Sequence, residues 1–479
     1  MKVSLFILAA AALGLAGCSV GPDYRRPAPL PAQALPVAFN APTNAPEWKM
    51  AEPAADRSRG GWWQLFGHAE LDRLEALAAT NNQSVAAAAA QLGQARALVK
   101  TARADFFPQF SAQPGVTRQR TSVNAPTKGQ PAGQAYTYNN FVAPLDMNWE
   151  LDLWGRVRRE SEGAQSRFVA AADELEAVRL TVQAEVAADY FMLCALADER
   201  AMVTNTIAAY QRSLELTQNR RRGGVASDLD VAQAETQLRA AEAQLPGIEL
   251  QAESVRHALA VLCGQPASDF AVTLQTLAHA AVPSLPAGLP SELLERRPDV
   301  AAAERQMAAA NADVGVAKSA FYPRVFLTGA AGFQSVGASS LFDWPSRMWA
   351  LGPSVNFPLF TGGRNRAGLA AAKAAYDATV AGYRESVLTA FQEVEDQLSA
   401  QRLLAAQARA QAAALAAAQH TLAVATNRYR AGLTTYLEVA SAQGTALAYE
   451  RSLVQLTGQR LAAEVNLIKA LGGGWQAGK

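Results

Sequence analysis

The chain has 479 residues, of which 50% are hydrophobic, and its 43 lysines and arginines almost balance its 42 aspartates and glutamates. Because proteins that bind nucleic acids usually carry a clear basic excess, this balance gives no reason to expect DNA or RNA as a partner. After the N-terminus no stretch holds 18 uninterrupted apolar residues, so any membrane crossing is expected to use β-strands.

The first residues show the three-part pattern of a secretory signal. Lys2 is followed by an apolar run over residues 3–15, and two small residues precede Cys18. This run is too short to span a bilayer, so residues 1–17 are predicted to be a signal peptide. Leu15 to Cys18 resembles the bacterial lipobox, which implies a covalent lipid on the thiol of Cys18. An ordinary signal peptide that happens to end in cysteine is the alternative.

The sequence contains two copies of one unit. Phe107-Pro108 returns as Tyr322-Pro323, and Gly224 returns as Gly432. Each copy has a helical stretch, two β-like stretches and a long helical stretch that turns once and comes back. The predicted organisation is a signal peptide (1–17), a lipidated anchor segment (18–66), a first repeat (67–272), a proline-containing connector (273–290) and a second repeat (291–479).

The long helical stretches end at glycines. The stretch from Gly155 to Gly224 contains no proline, is rich in good helix formers and would run about 100 Å as a helix. Ser227 or Asp228 can cap the returning helix, and Pro246-Gly247 is expected to bend it. A plain antiparallel coiled coil is consistent with the same periodicity. The remaining cysteines, at 194 and 263, are predicted to be separate, buried thiols.

The β-like stretches point to a shared membrane barrel. They cover residues 106–118, 138–149, 325–333 and 349–360, with aromatic residues near their ends. Core packing is the alternative reading of those aromatics. Four strands cannot close a membrane barrel, because unpaired edges are not tolerated there. Several chains must then share one barrel: three would give 12 strands, and a dimer with eight would satisfy the same rule.

Three motifs resemble the TolC-like outer-membrane factors, in particular the lipoprotein branch that serves resistance-nodulation-division efflux pumps. Cys18 to Pro27 is similar to the mature start of that branch, and Leu151 to Arg156 is similar to its strand-to-helix junction. The most specific motif runs from Leu293 through Glu304 to Pro323. The resemblance covers essentially the whole mature chain.

The resemblance implies a mixed α and β membrane protein that forms a homotrimer. Four strands per chain would build a 12-stranded outer-membrane barrel, continued by a long periplasmic α-helical barrel with an equatorial region formed partly by the C-terminal tail. The expected partners are outer-membrane lipid, a periplasmic adaptor (membrane fusion) protein and an inner-membrane resistance-nodulation-division pump. The implied function is passive export of small toxic compounds or drugs, without catalysis.

The resemblance also assigns roles to the two helix turns. The adaptor-contacting tips would be Arg222, Gly224, Val225, Gly432 and Leu433. The residues at the periplasmic gate would be Asp230, Tyr429, Arg430 and Glu438. Thr434 stands where one member of the family has a latch arginine, and Ser441 stands where an acid is common, so the exact latch differs from that pattern. Our hypothesis is that Asp230, with Tyr429 or Arg430, holds the tips shut; the alternative is that these are solvated helix-surface residues.

Three other functions are alternatives to an efflux duct. The four histidines show no metal-ligand spacing, and nucleophile-elbow and phosphate-binding motifs are absent, so an enzyme is not expected. A periplasmic adaptor lipoprotein would contain one helical hairpin rather than two full copies. The outer-membrane duct of a type I protein secretion system remains an alternative to drug efflux.

Overall fold

The computed structural model describes residues 19–28, 61–124, 135–277 and 296–473. The predicted signal peptide, Cys18, most of the anchor segment and most of the connector therefore lie outside the described residues. The elements of the first half are α1 (Ala69–Asn81), α2 (Gln83–Ala104), β1 (Gln109–Ala112), β2 (Gly115–Arg120), β3 (Thr137–Leu151), α3 (Arg156–Arg222), α4 (Asp228–Glu242) and α5 (Leu245–Leu262). Those of the second half are α6 (Pro298–Ser319), β4 (Arg324–Ser335), β5 (Arg347–Asn356), α7 (Arg364–Arg430) and α8 (Tyr436–Ala470).

The long helices predicted from the sequence are present. Both α3 and α7 have 67 residues. Gly224 and Gly432 follow their C-termini with a φ of +75° each, a backbone conformation that glycine adopts without a steric penalty. The bend expected at Pro246 is confirmed, because the returning helix is divided there into α4 and α5.

The strands form one antiparallel sheet in the order β1–β3–β4–β5, with β2 also paired to β3. The structure differs from the prediction of four strands, because the first predicted strand is split into β1 and β2 around Gln113 and Pro114. Proline has no N–H to donate to a ladder, so it interrupts an edge strand. The last strand also ends earlier than predicted, at Asn356 rather than Phe360.

The chain divides into two compact units. Among the described residues, the first unit contains the sheet and comprises residues 19–27, 92–124, 135–171 and 303–383; the second comprises residues 28, 61–91, 172–277, 296–302 and 384–473. The second unit has a helical core in which Trp62, Tyr190 and Phe191 are fully buried. Cys194 and Cys263 are buried and unbridged, which confirms the prediction of two free thiols.

One described helix, α3, includes an 18-residue window that is long and apolar enough to cross a membrane. The mean hydropathy of this window is 1.3, and 61% of it is buried inside the chain. Length and composition alone support this assignment, and a buried core helix has the same properties.

Candidate functional site

The sheet has one apolar face. Because side chains alternate across a strand, the register of β3, β4 and β5 brings their odd-numbered residues to the same face. Most of that face is apolar: Phe141, Ala143, Leu145, Met147, Trp149, Leu151, Val325, Leu327, Gly329, Ala331, Phe333, Trp349, Leu351, Pro353 and Val355. In the single chain Trp349 is 79% exposed. An apolar surface of this extent marks a contact with lipid or with another protein.

The opposite face of the sheet is largely polar or small. Its residues include Asn140, Asp146, Asn148, Glu150, Thr328, Ala330, Gly332, Gln334, Ala350, Gly352, Ser354 and Asn356. From Phe141 to Leu151, 11 consecutive residues of β3 pair with β4. A tilted transmembrane strand needs about 9–11 residues. The sheet thus has the length and the two-sided polarity of a segment of a membrane barrel with a wet interior.

The sheet is open at both sides. Among the described strands, β1 and β2 pair only with β3, and β5 pairs only with β4. Both sides therefore present backbone N–H and C=O groups that this chain leaves unpaired. The two outer strands run in opposite directions, so the edge of one copy can pair with the edge of another and continue the antiparallel order.

A cluster of charged side chains lies at the end of the sheet where the strands are followed by helices. Arg156 donates to Glu150 at 2.9 Å and to Glu160 at 2.6 Å, and Arg324 also binds Glu150. Glu150 and Arg324 lie on the polar face. These bonds tie β3, β4 and the start of α3 together at the point where strand geometry changes to helix geometry.

The first helix turn is stabilised by a capping box. The Ser227 hydroxyl accepts a hydrogen bond from the Asp230 N–H, while the Asp230 carboxylate accepts from the Ser227 N–H at 2.9 Å. The capping prediction is confirmed for Ser227. Val225 at the turn is 67% exposed, as expected for a residue available to a partner.

The second helix turn is capped by the same aspartate. Thr435 is the N-cap of α8, but its side chain makes no capping bond. Instead, Oδ1 of Asp230 accepts a hydrogen bond from the backbone N–H of Tyr436 at 3.1 Å. Burial raises the pKa of Asp230, but the hydrogen bonds from Ser227 and Tyr436 outweigh it and hold the pKa below its ordinary value. This carboxylate therefore links the two turns of one chain.

The other predicted gate residues surround this link. The ring of Tyr429 packs edge-to-face on Tyr436, with centroids 5.4 Å apart, and the Arg220 guanidinium lies 4.7 Å from the Tyr429 ring centroid. Arg220 also donates to the carbonyl of Arg430 at 3.3 Å. Glu438 lies exposed in the first turn of α8. Within one chain Asp230 thus bonds to Ser227 and Tyr436, whereas the hypothesis paired it with Tyr429 or Arg430.

The remaining predicted tip residues are all at the solvent-exposed turns. Arg222 is the last residue of α3, and Gly224 follows it; Leu433, after Gly432, is 71% exposed. The sequence did not indicate Arg220 or Tyr436, which organise this site. Their signal was weak, because an arginine among three consecutive arginines and a tyrosine at a helix start each have ordinary explanations.

A short N-terminal segment, residues 19–27, is docked on the unit that contains the sheet. The N–H of Val20 donates to the Trp154 carbonyl at 3.0 Å, and the amide of Asn311 donates to the Pro22 carbonyl at 3.0 Å. Arg159, almost fully buried, pairs with Asp23 at 2.7 Å. The predicted lipid attachment point, Cys18, lies outside the described residues but directly precedes this segment.

Comparison with known proteins identifies the family. The sequence model of the family described as outer membrane efflux protein matches residues 74–265 and 289–473 of this chain. The chain belongs to the outer membrane efflux protein family. It is 35% identical to the probable efflux pump outer membrane protein TtgC of Pseudomonas putida, covering 99% of this chain and 96% of that protein. It is 34% identical to the outer membrane protein OprJ of Pseudomonas aeruginosa, covering 98% and 95%.

Solved structures agree with this membership. The outer-membrane channel OprN superposes with a TM-score of 0.86 at 31% identity, covering 96% of this chain and all of that one. The open state of the MtrE outer membrane channel of Neisseria gonorrhoeae superposes with a TM-score of 0.81 at 28% identity, covering 95% and 98%. The resemblance inferred from the sequence is confirmed: this efflux protein is an outer-membrane channel component of an efflux pump.

Proposed function

We propose that three copies of the chain form a homotrimer that conducts small toxic compounds passively across the outer membrane. The observation that carries the proposal is the sheet with an apolar face, a polar face and two open edges. A lipid environment does not tolerate unpaired edges, so copies must pair edge to edge until the barrel closes. Strands β1 and β2 pair with successive parts of β3 and together count as one strand of the barrel, so each copy supplies four. Three copies give a 12-stranded barrel with its polar face inside.

In this arrangement the sheet crosses the membrane and the helices extend into the periplasm as an α-helical barrel, with an equatorial region and the C-terminal tail around it. We also propose a covalent lipid on Cys18, which would fit this orientation. Val20, two residues later, is bonded at the junction of β3 and α3, so the acyl chains would enter the inner leaflet beside the helix end of the sheet. We propose no further cofactor.

The helix turns would form the periplasmic end of the duct. We propose that Arg222, Gly224, Val225, Gly432 and Leu433 contact a periplasmic adaptor, which connects the duct to an inner-membrane resistance-nodulation-division pump. Asp230, Tyr429, Arg430 and Glu438 would control the opening. The exposure of Val225 and Leu433 at the turns supports the first assignment, and the hydrogen bond that Asp230 accepts from Tyr436 supports the second.

Deleting the gene tests the function directly. We expect higher susceptibility to several unrelated drugs or solvents, restored by the wild-type gene, with an unchanged set of secreted proteins. Loss of a secreted protein with unchanged drug susceptibility would contradict efflux and favour type I secretion. The mass of the purified assembly tests the stoichiometry, because two or four chains would exclude the 12-strand barrel.

A further inference from the structure

Basic residues are concentrated at the end of the sheet farthest from the helices. All the helices that adjoin the sheet are connected to one end of its strands, at Gln109, Leu151, Arg324 and Asn356. We call the opposite end of the strands the distal end. The distal part of β2 carries Arg118 and Arg120, and neither β2 nor residues 137–140 of β3 contain an acid. In a chain of almost balanced charge, this is a local positive surface.

Both arginines lie on the same face as the apolar band. Val116 pairs with Phe141, Arg118 with Asn139 and Arg120 with Thr137, so both arginines lie on the apolar face. The two arginines lie directly beyond the apolar band. The odd-numbered residues of β3 are apolar from Leu151 back to Phe141 and polar at Asn139 and Thr137. Both side chains are exposed.

The other outer strand carries a similar group. Arg347 pairs with Phe333 and so lies on the same face, and its guanidinium sits 4.3 Å from the centroid of the Trp344 ring, which is 71% exposed. Asp343 is the single acid between residues 336 and 347. Because β2 and β5 are the two open edges, pairing between copies would bring these arginine groups onto neighbouring strands.

We propose that Arg118 and Arg120, with Arg347 of an adjoining copy, bind the phosphate groups of an outer-leaflet glycolipid. This inference rests on the proposed function, which places the apolar face in the hydrocarbon and the distal end of the sheet at the outer surface. Arginine reaches from apolar surface to the headgroup level and binds phosphate through paired N–H donors. Trp344 fits the same depth, since aromatic side chains collect at membrane interfaces.

Binding of purified lipid A, a phosphorylated glycolipid, to the full-length trimer tests this site. The test variant is the double substitution Arg118→Gln/Arg120→Gln. The matched control is Arg364→Gln/Arg366→Gln, which removes the same charge from exposed positions at the helix end of the sheet. Glycolipid retained per trimer is counted by native mass spectrometry, and enzymatically dephosphorylated lipid A and inorganic phosphate serve as further probes.

We expect the test variant to bind lipid A about tenfold more weakly, while the control variant binds like the wild type. Equal retention by the test variant would overturn the proposal. So would equal retention of dephosphorylated lipid by the wild type, or displacement of lipid A by inorganic phosphate at equal concentration. Conductance of the same samples in planar bilayers separates the two inferences: conducting trimers without lipid preference contradict only the glycolipid site, and failure to insert contradicts the barrel as well.

Discussion

Asp230 connects two parts of the chain that are far apart in sequence. Its carboxylate accepts a hydrogen bond from the Ser227 N–H at the start of α4. It accepts another from the Tyr436 N–H at the start of α8, 206 residues later. A helix start leaves several N–H groups without partners, and a nearby negative charge stabilises them. The depressed pKa of Asp230 follows from these bonds and keeps the group charged in mildly acidic solution.

Replacing Asp230 by alanine removes the carboxylate that accepts from the Ser227 and Tyr436 N–H groups, while the Ser227 hydroxyl can still accept from the N–H of residue 230. We expect Asp230→Ala to loosen the turns, at a cost of about 1–2 kcal/mol, and to raise the single-channel conductance of the purified protein. Asp228→Ala is the matched control, because Asp228 lies in the same turn but pairs with the exposed Arg221. Unchanged conductance in Asp230→Ala, or an equal increase in the control, would exclude Asp230 as a gate residue.

Glu75 is a buried acid with a different role. It lies in α1 and is 1% exposed, and neither carboxylate oxygen has a hydrogen-bond partner among the described residues. Burial, assisted by the charge of Asp72, raises its pKa from 4.5 to about 9. The folded state therefore holds a proton that the unfolded state releases, so stability falls as the pH rises from 4.5 toward 9.

Glutamine at this position cannot ionise, so Glu75→Gln should remove that loss. At pH 4.5 we expect similar thermal stability for the variant and the wild type. Near pH 9 the variant should be more stable by about 1–3 kcal/mol, measured by circular dichroism during heating. Glu215→Gln, the same substitution at an exposed position of α3, is the control. A stability difference between Glu75→Gln and the wild type that does not change with pH would contradict the assignment.

At the scale of elements, the sheet shows why the apolar face was hard to predict from the sequence. Val142 and Pro144 are apolar residues on the polar face of β3, and Gly329 and Ala331 are small residues on the apolar face of β4. Each strand alone therefore has weak alternation. The two faces emerge only when the register aligns the strands, and register depends on partners far away in sequence.

Charge on the two faces of β3 should have opposite consequences. Leu145→Arg places a cation in the apolar band, and we expect it to destabilise the inserted trimer by about 2–4 kcal/mol per chain. Asn148→Arg places the same side chain on the polar face and should leave assembly intact while changing ion selectivity. Heat-modifiable migration in gels and bilayer recordings measure the two effects; equal assembly of both variants would exclude a lipid-facing apolar side.

Local signals predicted the helices and their turns well. Gly224 and Gly432 require no partner to end a helix, and Pro246 interrupts one through its own ring. The contact of Asp230 with Tyr436 could not be predicted in this way. It depends on how two distant helices pack, and a helix-start aspartate is already explained by its local capping role.

For the whole molecule, the proposed lipid anchor and the docked segment would be separate means of holding the N-terminus. Residues 19–27 make hydrogen bonds and ion pairs with the unit that contains the sheet, and none of these requires a lipid. Gly21 even approaches Gly315 so closely that a Cβ on Gly21 would lie 2.6 Å from the Gly315 Cα. A closed barrel would also retain the protein in the membrane by itself.

We therefore expect Cys18→Ala, exported with an ordinary signal peptide, to keep much of its drug-efflux function. Loss of the lipid removes one membrane contact and leaves the docked segment in place. Trimer content of outer-membrane fractions and drug susceptibility provide the measurements, with the lipidated wild type alongside. Complete loss of assembled trimer in Cys18→Ala would show that the lipid is needed for folding or assembly.

The shared cap at Asp230 makes the two halves of the chain unequal despite their common plan. The second turn, with no side-chain cap of its own at Thr435, depends on a carboxylate supplied by the first half. Gene duplication allows such a division of labour, because fused halves no longer need to be self-sufficient. The halves are then not interchangeable: two copies of the second half joined head to tail would lack the aspartate on which both of their turns rely.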